Sequence, residues 1–523
     1  MDQTKTPACK LSDIADGEMK EVQVGTTPVL LARVEGKCYA LAAHCTHYGA
    51  PLAEGYLSGD RIVCPWHHAC FNARTGALEE PPALDSLASY PIRIENDNVF
   101  VDILEGAPDR ETPPMTRRDP NDPRTFMIIG GGAAGYLAAQ TLREEGFTGR
   151  IVMITRESRA PYDRPNLSKD YLHGHADPEW MPLRGDDFYA EHEIEVMFDL
   201  NVTSIDAASR RITFADAETM DCDSVLIATG GEPRRLQVPG GDLKNVFVLR
   251  SFDSADSIIA AAEGAKNAVV IGASFIAMET AFSLRERGLS VTVVAPDKVP
   301  FERTLGPEIG HLFRSVHESK GVNFRLGEHV KALHGEGKVD GVTLASGEQI
   351  RADLVVVGIG VSPATEFLDG FETQKDGSVV VDEYMSLGNG IFAAGDIATF
   401  YDLRTGNPTR IEHWRTALQQ GRVAAKNMLG KQIRDDSVPF FWTTQFDVTL
   451  NYVGHAAGWD TIQYQGDVDK KDFLALYIKG GVIDAVAGMN RDRDLAVWEE
   501  RFRLGRVPSP ADLNDENPSR AAV

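Results

Sequence analysis

Two short segments of the sequence carry residues suited to binding iron. Cys45 and His47 form the first segment, and Cys64 and His67 form the second, with sixteen residues between the two. Two thiolates and two imidazoles in this order are typical of a [2Fe–2S] cluster whose cysteines hold one iron and whose histidines hold the other. Neutral imidazole leaves more positive charge on its iron than thiolate does, so such a cluster accepts an electron more readily than an all-cysteine one. The segments therefore predict a one-electron relay.

A structural zinc site is the alternative interpretation, because zinc also takes cysteine and histidine ligands. Zinc motifs usually pair two cysteines within one half of the site, whereas each segment here pairs a cysteine with a histidine. We therefore favour iron–sulfur over zinc. Sequence neighbours of the ligands are not assigned as ligands themselves, and the more distant cysteines are interpreted as ordinary thiols; the residues concerned are His44, His68, Cys70, Cys9, Cys38 and Cys222.

The two segments resemble the Rieske ferredoxin family, whose loops read Cys-x-His-x-Gly and Cys-Pro-x-His-Gly. Gly49 and Pro65 match these patterns. His68 stands where the family usually has glycine, a change that bears on the hydrogen bonds around the cluster. Neither Ala50 nor Trp66 can form the loop-bridging disulfide of the respiratory-complex subtype. The resemblance therefore implies the ferredoxin-like branch of lower potential.

The cluster segments lie in the first of several regions that differ in sequence pattern. Up to about residue 105 the chain reads as short strands and turns, and residues 106–123 are polar and rich in proline. Strands then alternate with amphipathic helices, which predicts parallel sheets with crossover helices. Past about residue 436 the pattern becomes β-rich again.

A glycine-rich turn stands where the alternation of strands and helices begins. Gly130-x-Gly132-x-x-Gly135, with Ala134 inside it, follows an apolar strand and opens an apolar helix. Glycines at this spacing let a pyrophosphate approach the helix N-terminus, whose free N–H groups and dipole favour anions. Glu157 follows the next strand, where a carboxylate accepts hydrogen bonds from ribose hydroxyls, although an ordinary surface glutamate is the alternative. The pattern predicts a dinucleotide site.

The same unit recurs 142 positions later with the pattern Gly272-x-Ser274-x-x-Ala277. Two of the three glycines are replaced by small residues, which still permit the turn. The matching helix and the next strand follow at nearly the same spacing. Two copies of one strand, turn, helix and strand unit predict two dinucleotide-binding domains.

Three further segments complete a recognisable set. Thr229-Gly230 ends one strand, Gly395-Asp396 ends another, and residues 161–169 read Pro-Tyr-Asp-Arg-Pro-Asn-Leu-Ser-Lys. With the glycine fingerprints, they resemble the FAD-dependent pyridine nucleotide reductases of the oxygenase-coupled ferredoxin reductase and apoptosis-inducing-factor type. With the first module included, nearly the whole chain is similar to Rieske-containing apoptosis-inducing-factor-like oxidoreductases. The resemblance implies FAD in the first unit and NAD(P)H in the second.

The resemblance also implies roles for individual residues. It places Lys169 near the reactive edge of the flavin, where an ammonium stabilises negative charge on reduced flavin, and pairs it with Glu279 beneath the nicotinamide. We interpret both as catalytic, against the alternatives of a solvated lysine and a helix-surface glutamate. Trp442 is interpreted as covering the flavin, with an ordinary core role left open. The other residues interpreted as cofactor-binding are Arg164 at the FAD phosphate or adenine, Asp396 at the ribityl chain, and Thr229, Gly230, Arg234, Gly360, Gly395, Glu412, His413 and Trp414.

The preferred nicotinamide cofactor depends on the end of the second unit's second strand. Related reductases that prefer NADH usually carry glutamate directly after this strand, but Ala295 occupies that place. Asp297, which the internal repeat aligns with Glu157, is the nearest acid. A carboxylate there binds the ribose hydroxyls and repels a 2′-phosphate, so we predict NADH over NADPH.

Composition limits the remaining functions. The 523 residues are 43% hydrophobic and 25% charged, as in soluble globular proteins of roughly three or four domains. The formal charge of -24 opposes the basic surface that nucleic acid requires, and six cysteines are too few for a disulfide scaffold. No apolar run is long enough for a membrane span, and no secretory signal precedes the first module. We predict a cytoplasmic protein, with a homodimer as a possible assembly.

Sequence and resemblance together predict a multidomain fold. Its parts are an all-β Rieske domain, an α/β flavoprotein reductase with two dinucleotide-binding domains, and a C-terminal α+β domain. The predicted boundaries are 1–105 for the Rieske [2Fe–2S] domain, 106–123 for a linker, 124–248 and 376–436 for the FAD-binding domain, 249–375 for the NAD(P)H-binding domain, and 437–523 for a C-terminal reductase or dimerisation domain.

We predict an NAD(P)H-dependent, ferredoxin reductase-like oxidoreductase that passes electrons from NADH through FAD to its own cluster. The final acceptor, a protein or a small molecule, is not identified by the sequence. A redox-responsive binding or sensor protein with incidental turnover is the alternative. No two-histidine and carboxylate iron site follows the nucleotide-binding units, which argues against a terminal oxygenase. No cysteine occurs between Cys70 and Cys222, which argues against a disulfide reductase.

Overall fold

The computed structural model describes residues 6–103 and 106–513. Parts of the predicted domains, residues 1–5, 104–105 and 514–523, lie outside the described residues. Within the described part, the predicted fold class is confirmed: an all-β module is followed by two α/β units and a C-terminal sheet with a helix.

The N-terminal module, residues 6–103, is built from short antiparallel strands. The central strand Thr27–Val34 pairs with a neighbour on each side, so that buried Leu30 lies opposite Leu41. Each of the two cluster segments follows the end of a strand: the first comes after Lys37–Ala42 and the second after Arg61–Val63. The strands are Cys9–Lys10, Met19–Val24, Thr27–Val34, Lys37–Ala42, Tyr56–Ser58, Arg61–Val63, Cys70–Asn72, Leu78–Glu80, Ser86–Leu87, Ser89–Tyr90, Ile92–Glu95 and Asn98–Val101.

The segment predicted as a linker, residues 106–123, contacts both of the domains that it connects. Its short strand Arg110–Glu111 pairs with Ser86–Leu87 of the N-terminal module. Further on, the amides of Thr116 and Asp119 donate to carbonyls of the first α/β unit at 2.9 and 2.8 Å. The segment is therefore held at both ends by hydrogen bonds.

The first α/β unit is a six-stranded sheet, parallel apart from one edge strand. Its strands lie in the order Ile194–Met197, Arg150–Ile154, Thr125–Ile129, Ser224–Ile227, Ile391–Ala393 and Ser386–Gly388. Near-continuous apolar strands suit a parallel sheet that is covered on both faces. The helices of the unit are Ala133–Glu144, Asp170–His173, Asp186–Glu191 and Trp414–Met428, and its smaller strands are Val202–Asp206, Arg211–Phe214, Thr219–Asp221, Gly231–Pro233, Val379–Val380, Ala398–Asp402 and Asn407–Thr409.

The second α/β unit is inserted into the first and repeats its plan. Its parallel sheet has the order Val246–Val248, Leu354–Val357, Asn267–Ile271, Ser290–Ala295 and Asn323–Leu326. The helices are Phe252–Ala262, Phe275–Glu286, Glu302–Leu305 and Pro307–Ser319, and the smaller strands are Val330–His334, Gly341–Leu344, Gln349–Arg351 and Val361–Pro363. The glycine turns of the two units therefore open equivalent helices.

The C-terminal domain is a five-stranded antiparallel sheet that packs against one helix. The strands lie in the order Phe440–Gln445, Val448–Gly454, Val482–Met489, Asp472–Lys479 and Thr461–Asp467, and the helix is Asp492–Arg503. Ala496 of this helix joins Val63 and Cys70 of the N-terminal module in one buried apolar cluster. The module with the cluster segments is thus packed against the C-terminal domain.

None of the helices in the described part of the chain combines the length and the apolar character that crossing a membrane requires.

Candidate active site and cluster site

The four predicted cluster ligands converge in the N-terminal module. The Nδ1 atoms of His47 and His67 lie 3.1 Å apart, with the two rings edge to face. The buried thiols of Cys45 and Cys64 lie within hydrogen-bond reach of each other. The two thiols are therefore neighbours, and so are the two ring nitrogens, which is the pairing needed by a [2Fe–2S] cluster with two cysteines on one iron and two histidines on the other.

The protonation of these groups also suits iron. Burial lowers the pKa of His47 to about 3 and that of His67 well below its ordinary value, so both imidazoles are neutral and have a free lone pair. The hydrogen bond that the Cys45 thiol donates to the sulfur of Cys64, together with burial, raises the pKa of Cys45 well above that of a free thiol. A thiol with a raised pKa loses its proton when a strongly positive metal ion binds the sulfur, and the iron ions of a cluster would provide that charge. The residues fit the cluster.

His44, His68 and Cys70, which are close in sequence to the predicted ligands, have other partners. His44 is half-exposed and lies 3.6 Å from Glu21. Cys70 donates to the backbone carbonyl of His68 at 3.3 Å, and His68 is fully buried against the C-terminal domain. The structure thus places these three residues outside the group of four converging side chains.

A cavity of about 1150 Å³ lies between the two α/β units and the C-terminal sheet. Its wall brings together most of the residues predicted to bind FAD and NAD(P)H. Those that line it are Gly130, Gly132, Ala134, Glu157, Arg164, Lys169, Thr229, Gly230, Ser274, Glu279, Gly360, Gly395, Asp396, Glu412, His413, Trp414 and Trp442.

The first glycine turn forms an open cradle at one end of this cavity. Gly130 has a φ of 119°, and a Cβ there would lie 2.2 Å from the carbonyl oxygen of Ala228. A Cβ on Gly135 would lie 1.9 Å from the carbonyl oxygen of Gly130. At Gly132, in contrast, a Cβ would meet no atom within 4 Å, so the space in front of the helix N-terminus is free. This cradle fits a pyrophosphate.

The second glycine turn keeps the same backbone with larger side chains. Gly272 has a φ of 115°, and a Cβ there would lie 2.2 Å from the carbonyl oxygen of Gly358. Ser274 precedes the helix with the extended backbone that Gly132 has, so a side chain is tolerated. Ala277 packs closely against Gly358, where an added Cβ would lie only 2.9 Å from the Cβ of Ala277. A glycine across the turn therefore compensates for the missing third glycine.

Lys169 and Glu279 meet at the cavity wall. The Lys169 ammonium donates to the Glu279 carboxylate at 2.8 Å, and Glu279 is 2% exposed. The Thr443 hydroxyl donates to the second carboxylate oxygen at 2.7 Å. Burial excludes the alternative of a helix-surface glutamate. An ion pair at the boundary of the two units and the C-terminal sheet is thus available to a bound cofactor.

A second ion pair lines the cavity near the first cradle. The Arg164 guanidinium donates to Glu157 at 2.8 Å and to the carbonyl oxygen of Arg250 at 2.6 Å. Although burial raises the pKa of Glu157, the charges of Arg164 and Arg250 and the hydrogen bonds from Arg164 and Tyr162 together outweigh burial and hold this pKa below its ordinary value. Glu157 is therefore an ionised acceptor, as the predicted contact with ribose hydroxyls requires.

At the C-terminal side, His413 is buried beside Phe441, with ring centroids 4.5 Å apart, and burial lowers its pKa to about 3. Its Nδ1 atom has no hydrogen-bond partner among the described residues. An unpaired buried nitrogen on a cavity wall is a candidate contact for a polar cofactor edge.

Five residues predicted to bind cofactors do not line the cavity. Gly135 and Ala277 lie in the helices behind the two turns, and Gly272 lies at the base of the second turn. The Arg234 amide donates to the carbonyl of Gly360, while the neighbouring Arg235 lines the cavity. Asp297 lies beyond the strand Ser290–Ala295 and pairs with Arg303 at 3.2 Å.

Sequence reasoning missed Arg250, which lines the cavity and lies 3.5 Å from the Asp396 carboxylate. A usable signal was its place just beyond the strand Val246–Val248, because ligands bind at the carboxyl ends of parallel strands.

Trp442 lies between the cavity and the two histidines predicted as cluster ligands. It lines the cavity, and its ring centroid is 4.3 Å from that of His67 and 6.3 Å from that of His47. Trp442 is therefore not an ordinary core residue, because its side chain contacts both the cavity and the two histidines. The two candidate sites are therefore neighbours, separated by one indole.

Three family models match the chain. A model described as pyridine nucleotide-disulphide oxidoreductase matches residues 124–421, more than half of the chain. A Rieske [2Fe-2S] domain model matches residues 4–91, and a reductase C-terminal model matches residues 440–521.

Among curated relatives, human apoptosis-inducing factor 3 is 38% identical over 518 residues, which are 97% of this chain and 85% of the relative. Rhodocoxin reductase from Rhodococcus erythropolis is 37% identical over 372 residues, 71% of this chain and 87% of the relative. Among solved structures, the covalent complex of putidaredoxin reductase with putidaredoxin matches with a TM-score of 0.72 and 31% identity over 76% of this chain and 97% of that one.

Proposed function

Because this chain belongs to the pyridine nucleotide-disulphide oxidoreductase family, we propose that it passes electrons from NADH through FAD to its own Rieske cluster and then to an acceptor. Family membership and the Rieske match imply FAD, NAD(P)H and a [2Fe–2S] cluster, so the predicted oxidoreductase class and cofactors are confirmed. The observation that carries the internal relay is Trp442, which lines the FAD and NAD(P)H cavity and contacts the ligand His67.

When bound, FAD would supply the conversion of the nicotinamide's electron pair into single electrons, and the cluster would take these one at a time and pass each to the acceptor. The chain supplies the setting for this exchange. The cradle from Gly130 to Gly135 would orient a pyrophosphate, and the ammonium of Lys169, held by Glu279 at the cavity wall, would stabilise negative charge on a reduced flavin. Phe441 and Trp442 form the wall of the cavity on the side of the C-terminal sheet.

The proposed preference for NADH rests on Asp297. Its carboxylate stands at the position that the repeat aligns with Glu157, where it opposes a 2′-phosphate. Arg303 argues for NADPH instead. Its exposed guanidinium, which pairs with Asp297, is the kind of group that binds a 2′-phosphate. The ratio of kcat/KM for NADH to that for NADPH decides which nicotinamide cofactor is preferred. A ratio in favour of NADPH contradicts the proposal.

For the acceptor, a redox protein is the class that the relatives support. Putidaredoxin reductase is known in a covalent complex with putidaredoxin, and other relatives are named ferredoxin reductases. In this chain the fused Rieske domain occupies the side of Trp442 that faces away from the cavity. We infer that the fused cluster takes the place of a separate first acceptor and that a second acceptor, a protein or a small quinone-like molecule, receives the electron from it.

Cys64→Ala tests the relay. The variant should keep the flavin absorbance, lose the iron–sulfur EPR signal and no longer transfer electrons to acceptors in a panel of one-electron carrier proteins and quinones. Cys222→Ala, which removes a buried thiol of the first α/β unit, is the matched control and should keep both signals and turnover. A Rieske EPR signal in Cys64→Ala contradicts the ligand assignment. Stoichiometric flavin reduction in the wild type, without turnover of any acceptor, favours the redox-responsive sensor instead.

A further inference from the structure

The residue that follows each histidine ligand reaches out of the N-terminal module to the reductase. Tyr48 follows His47, and its hydroxyl donates to the carboxylate of Asp163. His68 follows His67, and its Nδ1 atom hydrogen-bonds to the carboxylate of Glu499. Both cluster loops are therefore tied, at the same position relative to their ligand, to parts of the chain outside the module.

His68 holds a backbone conformation that glycine would adopt more easily. Its φ is 57°, in the left-handed region, and the Rieske loop pattern has glycine at this position. The imidazole is completely buried and stacks on Phe440 of the C-terminal sheet, with ring centroids 4.1 Å apart. A histidine keeps this unfavourable backbone conformation only where contacts of its side chain and its neighbours hold it in place. These contacts belong to the C-terminal domain, so the side chain serves the junction between domains.

Buried charges complete the His68 junction. The fully buried guanidinium of Arg415, on the helix Trp414–Met428, donates to Glu499 and to the carbonyl oxygen of His68, each at 2.8 Å. It also donates to Glu80 of the N-terminal module at 2.9 Å. Every charge at this point has an opposite partner, so the junction joins the module, the first α/β unit and the C-terminal helix without an unpaired buried ion.

The Tyr48 junction joins the first cluster loop to the first α/β unit. Tyr48 stacks on His47, with ring centroids 4.0 Å apart at 22°. Its partner Asp163 immediately precedes Arg164, and the segment continues to Lys169 on the cavity wall. This junction therefore links a ligand imidazole directly to the segment that forms the cofactor cavity.

We propose that Tyr48 and His68 are positioning residues that clamp the two ligand histidines against Trp442. With the clamp closed, the ring of His67 is held at 4.3 Å from the indole, and the ring of His47 at 6.3 Å. Loss of either tie frees one loop, and loss of both frees both loops, while the ligands themselves remain and the contacts of Ala496 and Glu80 still hold the module in place. This inference rests on the proposed relay from FAD to the cluster.

The first test follows electron transfer in single turnovers of the complete holoprotein. Tyr48→Phe, His68→Gly and the double variant are mixed with NADH, and the flavin and cluster absorbances are followed separately. Flavin reduction should keep its wild-type rate, whereas cluster reduction should slow by about tenfold in each single variant and about 100-fold in the double variant, because misplacement by an ångström has effects of this order. The cluster content and EPR g-values should not change.

Two further variants serve as controls. Arg74→Ala removes exposed ion pairs with Glu35 and Asp60 that lie wholly within the module, and it should behave like the wild type. His68→Asn should restore most of the rate lost in His68→Gly. The amide nitrogen of asparagine occupies the place of the histidine Nδ1, and asparagine tolerates a positive φ.

The second test uses the resting protein without NADH. Hydrogen–deuterium exchange at residues 44–50 and 64–70 should be faster in Tyr48→Phe and His68→Gly than in the wild type and Arg74→Ala. If cluster reduction and exchange in both clamp variants match the wild type, the clamp is refuted. If the wild type itself reduces its flavin but not its cluster, the proposed relay fails instead, and the exchange measurement still decides whether the two ties hold the loops.

Discussion

Among single residues, the ion pair of Lys169 and Glu279 offers the most direct control over a bound flavin. Lys169→Met should lower the midpoint potential of FAD and Glu279→Gln should raise it, because the first removes and the second unmasks a positive charge beside the cavity. Lys169→Met should also destabilise the fold by about 3 kcal/mol, since it leaves a buried carboxylate without its cation. Spectroelectrochemical titration measures both potentials, with Lys375→Met at an exposed position as the control. Shifts of the same sign in the two variants contradict the assignment.

At the scale of elements, the close packing of strand, turn and helix explains why the first glycine turn accepts no side chain at Gly135. A Cβ there would lie 1.9 Å from the Gly130 carbonyl oxygen, so Gly135→Ala must push the helix Ala133–Glu144 away from the sheet. We expect loss of FAD and a destabilisation of about 1–3 kcal/mol. The control Ala277→Gly, at the equivalent position of the second unit, should keep its FAD. Absorbance of purified protein and thermal unfolding measure both effects; full FAD occupancy in Gly135→Ala contradicts this account.

For the whole molecule, local sequence patterns predicted the parts better than their junctions. The residues of each ligand pair and of each glycine turn lie within a few positions of each other, so their spacing was enough to predict roles for Cys45, His67 and Gly130. The contact of His68 with Glu499 joins positions 431 residues apart, and no periodicity in either segment specifies it. The departure of His68 from the Rieske pattern was visible in the sequence. Its meaning was not, because it depends on how the N-terminal module packs against the C-terminal helix.

That packing makes the assembled molecule sensitive to acid in a defined way. Burial alone raises the pKa of Glu499, but the charges of Arg415 and His68 outweigh burial and lower this pKa to about 2. A lowered carboxyl pKa stabilises the fold above the ordinary value of about 4.3, and this contribution of about 3 kcal/mol is lost as the pH falls toward 2. The urea midpoint of Glu499→Gln, followed by flavin fluorescence, should therefore lie well below that of the wild type at pH 6. The gap should narrow progressively between pH 5 and pH 2, because the carboxyl of the unfolded chain takes up its proton at about pH 4.3, whereas the native carboxyl stays ionised until the pH approaches 2. A gap that stays constant across this range would show that the charge of Glu499 does not hold the domains together.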